Sequence, residues 1–556
     1  MNRVKHLNRL RSESFDICII GAGATGAGCA LDAASRGLKT ALIDQGDFCS
    51  VTSGTSTKLV HGGVRYLEQA FKKLDPKQLS LVRKALHERM TLLKIAPHLA
   101  HPLALLTPCK SWFDGMYYSV GLKLYDLLAG NRQLKPSQWL SKKEALAHFP
   151  AFNPDKLHSA VLYYDGQFDD TRLNLALVQT AAQKGAAVAN YLKAVHFRKN
   201  ETGKLTAIEV EDTLTGETFT IRATVFVNAT GTLADQMRQD ASPGKSQRMR
   251  ASKGSHVVMP MAAVGKAQAA LLVPSTSDGR VLFAIPWRGH YLIGTTDTEA
   301  HPNDVPHLVP EEAAYLTEHV NQYLANPLST SQITGGFAGL RPLLQPDHDN
   351  AATESRSVVR DHEVEVDQTS GLVSIMGGKW TTYRLMAEET IDRCCQLSGH
   401  TVKSNTETLA VAGGDGFTGS FQSEFRKAFS HLPADTVEHL LFTYGTNAAK
   451  IAGLAREQAS YGQLLVEGHP FIRAEVIYAL TEEMAQTMDD VLMRRIRLGL
   501  VDWEAALAAS RPTGEIMGHF LNWSAEQTQQ AVQAFTQTIQ LLAGQAGVWL
   551  RTKEKA

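Results

Sequence analysis

Residues 16–26, Asp-Ile-Cys-Ile-Ile-Gly-Ala-Gly-Ala-Thr-Gly, most constrain what this chain can fold into. Ile17, Ile19 and Ile20 are β-branched and apolar, as in a strand buried on both faces of a parallel sheet. Gly21, Gly23 and Gly26 then make G-x-G-x-x-G. The first glycine permits a tight turn and the second lets a pyrophosphate approach the backbone. The third lets the following helix pack closely on the strand. That helix reads through residues 27–36 and stops at Gly37. A second strand is expected over 39–44. Asp44 ends it, about 20 residues past the glycines, where an acid binds a ribose 2′-hydroxyl. The unit reads as dinucleotide-binding and does not separate a nicotinamide from a flavin dinucleotide.

The next segment is rich in hydroxyls and small residues. Thr52, Ser53, Thr55 and Ser56 can bond phosphates and ribitol, and the run then delivers His61-Gly-Gly-Val-Arg65-Tyr66. An apolar strand at 224–228 runs into Ala229-Thr-Gly231, where small residues allow a second close backbone approach. At 372–384 the strand, glycine turn and helix logic repeats through Gly378 and Lys379. A helix beginning near Thr381 would aim its positive end at an anionic or electron-rich group.

At 556 residues the chain has room for about three domains. Formal net charge is zero, so a large field for binding nucleic acid is not expected. Six cysteines, Cys394-Cys395 adjacent and the others scattered, show no metal spacing and read as reduced thiols of a cytosolic compartment. The basic N-terminus lacks an apolar core, so no secretory signal is expected. No stretch reaches the roughly 20 apolar residues of a spanning helix.

Apolar residues at Leu79, Val82, Leu86, Met90 and Leu93 predict a helix ending near Pro97. Residues 112–130 are apolar and aromatic, with Lys110, Lys123, Arg132 and Lys135 around or within them. Two readings stand: a segment lying in a membrane interface, or a helix buried against the body. Residues 163–170 read as a polar turn, with Asp170 as N-cap of a helix over 171–184. Strands are expected at 187–197, 205–212, 218–221 and 224–228, and a hairpin at 281–297 across Arg288-Gly-His290. Beyond a linker-like 412–416, helices are expected at 471–487, 489–499 and 524–542, the last with a Ser524/Gln527 capping box.

Taken together, these stretches resemble the FAD-dependent glycerol-3-phosphate dehydrogenases, within the wider D-amino-acid-oxidase-like flavoproteins. The resemblance spans nearly the whole chain. Its most specific pieces are Ser56-Thr-Lys-Leu-Val-His-Gly-Gly-Val-Arg-Tyr-Leu-Glu68, Lys253-Gly-Ser-His256, Ile285-Pro-Trp287, Gly294-Thr-Thr-Asp297, Gly339-Leu-Arg-Pro342, Arg360-Asp361, Gly377-Gly-Lys-Trp-Thr-Thr-Tyr-Arg384 and Asp489-Asp-Val-Leu-Met-Arg-Arg495. Gly54 and Trp380 depart from the family pattern. The resemblance implies an α/β two-lobe flavoprotein with a Rossmann-like FAD-binding lobe (mainly 15–100, 150–240 and 355–400). It implies an antiparallel-sheet substrate lobe (mainly 100–150 and 245–350) and a C-terminal helical domain (401–556). It also implies oxidation of sn-glycerol 3-phosphate to dihydroxyacetone phosphate, non-covalent FAD, and electrons passed to quinone. Peripheral attachment to the cytoplasmic face of the inner membrane follows, and a homodimer is among the expectations.

Holding a phosphate calls for converging cations. Arg65, Arg341 and Lys379 follow constrained turns, the resemblance sets all three at the substrate, and Arg360 is a fourth candidate. His61 has the pKa range of a general base or serves as a structural histidine. An arginine near the C2 oxygen could instead stabilise the developing alkoxide. Tyr66 orients substrate or packs, and His256 faces the flavin or is structural. The cofactor set is Gly21, Gly23, Gly26, Asp44, Thr52, Ser53, Thr55, Ser56, Gly62, Ala229, Gly231, Gly378 and Thr381. The charges of 489–497 read as a structural network that docks domains. Three other activities remain: an oxidase using oxygen, an amine or amino-acid oxidase, and a flavin-binding redox sensor without turnover.

Overall fold

The computed structural model describes residues 1–63, 76–265, 267, 269–274, 276–345 and 362–550. Arg65, Tyr66 and Arg360 lie outside these residues.

The glycine motif sits where its sequence asks. Strand Ser14–Ile20 pairs in parallel with Thr218–Asn228 on one side and Thr40–Ile43 on the other. Val373–Gly377 and Ala187–Ala189 extend this parallel core. Its register sets Ile20 opposite Asn228 and Ile43. Gly21, Asp44 and Ala229 therefore emerge together at the carboxyl ends of three neighbouring strands, where open α/β sheets bind ligands. Helices Ala24–Ser35, Asp170–Gln183 and Tyr383–Ser398 cover the sheet. Three further strands complete eight among the described residues.

Among the described residues, a second sheet of ten strands is antiparallel apart from Ala270–Val273 against Ala100–Cys109. Its centre for function is the long pair Met249–Pro260 and Gly335–Leu344, registered Ser252 to Arg341, Gly254 to Gly339 and His256 to Phe337. The expected hairpin forms between Leu282–Trp287 and His290–Gly294, with Arg288 and Gly289 both at positive φ in its turn.

Several expectations are corrected. Residues 163–168 are not a turn but part of the buried strand Ser159–Phe168, paired on both edges. Polar Asp165 is tolerated there because Arg89 and Tyr125 bond its carboxylate. The N-cap of the following helix is Asp169, which accepts from Arg172 N. Asp170 is spent on other partners. The strand over 187–197 breaks at Tyr191, whose φ is +56, and 218–228 is one continuous strand.

Helix Trp112–Ala129 begins with a Ser111/Asp114 capping box. Gly115, Leu122, Tyr125 and Ala129 are buried while Trp112, Phe113, Met116, Tyr117, Val120 and Leu127 are exposed. The buried reading thus holds for one face, and the other face is exposed and apolar. No helix among the described residues is long and apolar enough to cross a membrane.

The C-terminal region is helical. Helices between 419 and 482 pack around Phe425, Leu440, Ile451 and Tyr478. Trp503–Leu521 and Ala525–Gln545, the latter with its Ser524/Gln527 box, join the core of the larger sheet through Trp503, Met517, Phe535 and Ile539.

Candidate active site

The cofactor end is built from backbone. Gly21 has φ +97, donates to Ile43 O at 2.8 Å, and a Cβ there would lie 2.6 Å from Ala229 O. A side chain at Gly26 would collide with the Gly21 carbonyl, so both positions require glycine. Gly23 is the N-cap of helix Ala24–Ser35 and offers no side-chain bond. Ser53 Oγ accepts from Ala24 N at 2.9 Å. Asp44 accepts from Ala22 N at 2.6 Å and Gly46 N at 2.9 Å, and burial raises its carboxyl to about 6 against those two donors. Asn228 shapes the third strand end: it donates to Ala234 O and Ser374 Oγ and accepts from the Thr230 hydroxyl. The Ala229–Gly231 turn is thereby fixed, with Gly231 at φ +63.

Residues 52–62 touch both lobes. Ser53 O accepts from Trp380 Nε1 at 2.8 Å, and His61 N donates to Thr381 Oγ1 at 3.3 Å. Toward the other sheet, Thr55 packs where a Cβ on Gly339 would overlap it, and Thr57 Oγ1 bonds His256 Nε2 at 3.0 Å. His256 stacks on Phe337 in space left by Gly294. Its pKa is driven well below the usual value by burial, then by the Lys58 and Arg341 charges, so it is neutral. Gly62 N donates to Tyr125 Oη at 2.7 Å. Thr52 opens the short helical turn that carries this segment. Ser56 bonds Asp170 through both N and Oγ.

Arg341 lies on the facing sheet. Its Nη2 donates to Thr295 Oγ1 at 2.9 Å and Thr296 O at 2.8 Å, and Nη1 meets Asp297 at 3.2 Å. The guanidinium lies over Gly254, where any side chain would displace it. Lys253 O and Gly254 of the first motif and Thr295, Thr296 and Asp297 of the second thus set the place of this arginine. Lys379 is half-buried at the N-cap of turn Trp380–Thr382, and Gly378 at φ +86 packs on Met386.

The sequence reading missed a buried ionic cluster behind this segment. Lys58 Nζ bonds Asp170 at 2.5 Å and Gly54 O at 3.0 Å; burial lowers its pKa to about 8 although Asp170 opposes the shift. Arg497 reaches Asp170 at 2.9 Å, and Arg288 reaches Asp169 at 2.9 Å. Lys58, Arg288 and Arg497 all lie over the Trp287 ring. The available signals were the Asp169-Asp170 pair opening a helix and a lysine inside an otherwise hydroxyl-rich run. The 489–497 charges do make a docking network: Arg494 and Arg495 both bond Asp47.

Two small-residue strand ends, an acid at the third, a helix N-terminus opened by Gly23 without a side-chain cap of its own and a following hydroxyl segment fit a dinucleotide that runs from one lobe to the other. Fold and site together define a two-lobe dinucleotide-dependent oxidoreductase. The family model for FAD dependent oxidoreductases matches residues 16–384, and that for the C-terminal domain of alpha-glycerophosphate oxidase matches 404–528. The mitochondrial glycerol-3-phosphate dehydrogenases of Macaca fascicularis and Homo sapiens are each 42% identical over 539 residues, covering 94% of this chain and 72% of theirs. The crystal structure of the glycerol-3-phosphate dehydrogenase from Bacillus halodurans, complexed with FAD, superposes with a TM-score of 0.79 at 28% identity, covering 99% of both chains. The chain belongs to the FAD-dependent oxidoreductase family and, within it, to the glycerol-3-phosphate dehydrogenases. Its cofactor is FAD.

Proposed function

We propose that the protein oxidises sn-glycerol 3-phosphate at C2 to dihydroxyacetone phosphate and passes the electrons to a membrane quinone. FAD, when bound, supplies the hydride acceptor. In this reading Gly21, Gly23, Gly26, Asp44, Thr52, Ser53, Thr55, Ser56, Gly62, Ala229, Gly231, Gly378 and Thr381 hold the cofactor. Arg341, with Lys379, Arg65 and Arg360, holds the phosphate dianion, to which arginine offers a fork and lysine a point charge. His61 takes the C2 hydroxyl proton, and Tyr66 orients the substrate.

One observation carries the reading. Gly339 packs on Thr55, and Arg341 follows two residues later on the same strand. Residues i and i+2 share a face of a sheet. Arg341 therefore stands on the same face of its strand that packs against Thr55, which supports its place beside the proposed cofactor segment. The test is anaerobic: sn-glycerol 3-phosphate should bleach the oxidised flavin band near about 450 nm, and a quinone analogue should restore it. Bleaching by an amino acid but not by glycerol phosphate would overturn the substrate. Hydrogen peroxide formed at the rate of turnover would overturn the acceptor.

The exposed apolar face of Trp112–Ala129 supports peripheral attachment to a membrane. Replacing Trp112 and Tyr117 together by Ser should release the protein from liposomes without lowering its melting temperature. Unchanged sedimentation with liposomes would reject this helix as the contact.

A further inference from the structure

Between strand Thr40–Ile43 and strand Leu59–Val60, residues 45–58 carry Thr52, Ser53 and Thr55, and buried charges from the far end of the chain hold both ends. Asp47, 1% exposed, accepts from Arg494 Nε at 2.7 Å, Arg495 Nη2 at 2.9 Å and Asn190 Nδ2 at 3.0 Å. At the other end Asp170, fully buried, gathers Ser56, Lys58 and Arg497. Arg497 also bonds Gly54 O at 3.2 Å and the Thr171 hydroxyl. Ser50, Val51, Thr52, Gly54 and Thr55 line a cavity of about 580 Å³ whose wall includes Arg494 and Arg497.

The local backbone of 490–497 is shaped for this. Residues Asp490–Arg495 form a π-helical turn, and two successive arginines there reach one carboxylate. Such turns are rare and cluster at functional sites. Arg497 holds a left-handed conformation, φ +71, that a non-glycine residue keeps only when its surroundings over-determine it. Arg495 is tied in turn to Glu483 O at 2.6 Å, and the Glu483 carboxylate grips Arg172 through both oxygens. The grip therefore runs from the C-terminal region into the helix that begins at Asp170.

We infer that residues 483–497 are a clamp that pre-orders the cofactor segment, making Arg495 and Arg497 positioning residues for FAD. The Nη atoms of each arginine bond protein groups, the Asp47 carboxylate and Glu483 O for Arg495 and the Asp170 carboxylate, Gly54 O and the Thr171 hydroxyl for Arg497, so the clamp acts on the segment and not on the cofactor itself. A segment ordered in advance loses less entropy when its ligand arrives. The inference rests on the assignment of Thr52, Ser53 and Thr55 to FAD.

The test is an FAD titration of the apoprotein, read by flavin fluorescence and by the visible circular dichroism of the bound flavin. Arg497→Lys and Arg495→Lys keep the charge and lose the fork. Each should weaken FAD affinity by about tenfold or more, the scale of a lost charge-assisted bond, and alter the flavin dichroism. In a Thr55→Val background the Arg497→Lys effect should shrink, because both act through one segment. Asp47→Asn attacks the same contact from the other side if an arginine variant fails to accumulate. FAD affinity held within about twofold in the lysine variants, with only the melting temperature lowered, would overturn the clamp and leave the segment's assignment intact. Unchanged affinity in both Ser53→Ala and Thr55→Val would overturn the assignment itself and the clamp with it.

Discussion

Cations near residues 52–62 fall into two groups that the fold treats differently. Lys58, Arg172, Arg495 and Arg497 are almost fully buried, and each has a carboxylate within 2.9 Å. Arg341 and Lys379 are half-buried at the junction of the sheets, and Arg341 meets Asp297 at the longer distance of 3.2 Å. A charge removed from water must have a permanent partner. One left partly in water can accept a partner that comes and goes. The first group holds the lobes together, and the second has the exposure a ligand requires.

The largest effect expected from breaking this division is Glu483→Gln. It leaves Arg172 buried beside a neutral amide, and the cost of an uncompensated buried charge is about 3–5 kcal/mol. Denaturant unfolding should show that loss, while the KM of refolded, FAD-loaded enzyme for glycerol phosphate stays near that of the parent. A large KM change with little loss of stability would erase the distinction. Arg341→Ala is the converse. It removes charge-assisted bonds from the proposed phosphate site and should lower kcat/KM by roughly a hundredfold or more, with FAD retained and the melting temperature little changed. Near-normal turnover would take Arg341 out of the site.

Tyr125 lies between the groups. Its hydroxyl accepts from Gly62 N, beside His61, and donates to Asp165, which Arg89 holds at 2.8 Å. Tyr125→Phe strands a buried N–H at a cost of about 1–3 kcal/mol. We expect kcat to fall about tenfold with FAD still bound, because the strain falls on the backbone next to the candidate base. A full loss of stability with unchanged kcat would assign Tyr125 to the closed group alone.

Much of this was legible in the sequence because it is local. The glycine turn, Asp44, the hairpin at Arg288-Gly289 and the Ser524/Gln527 cap depend on a few consecutive residues. What escaped was long-range. Asp170 looks like an N-cap until Lys58 and Arg497 arrive from 112 and 327 residues away. Residues 163–168 look like a turn because the partners that neutralise Asp165 lie on other elements. Trp503–Leu521 runs through Pro512, which in sequence argues for a break. Arg341 is a candidate through resemblance alone, and its setting by Gly254 and Thr295 appears only when two strands are in register.

The smallest predicted effect concerns Asp44, which belongs to neither group because amides rather than cations hold it. Its carboxyl is raised to about 6, first by burial, against the Ala22 and Gly46 amides, with Asp47 adding to the rise. In the free protein it therefore keeps a proton below that pH, although an ordinary aspartate would lose it near 4. Ribose hydroxyls donate to the ionised form, so cofactor binding expels the proton. FAD affinity should be flat above pH 6 and fall by up to about tenfold per unit below it. Titrations between pH 5 and 7 check this, and Asp44→Asn, which carries no proton to expel, should bind more weakly at pH 7 and lose the slope. A slope that survives in Asp44→Asn would move the titrating group elsewhere.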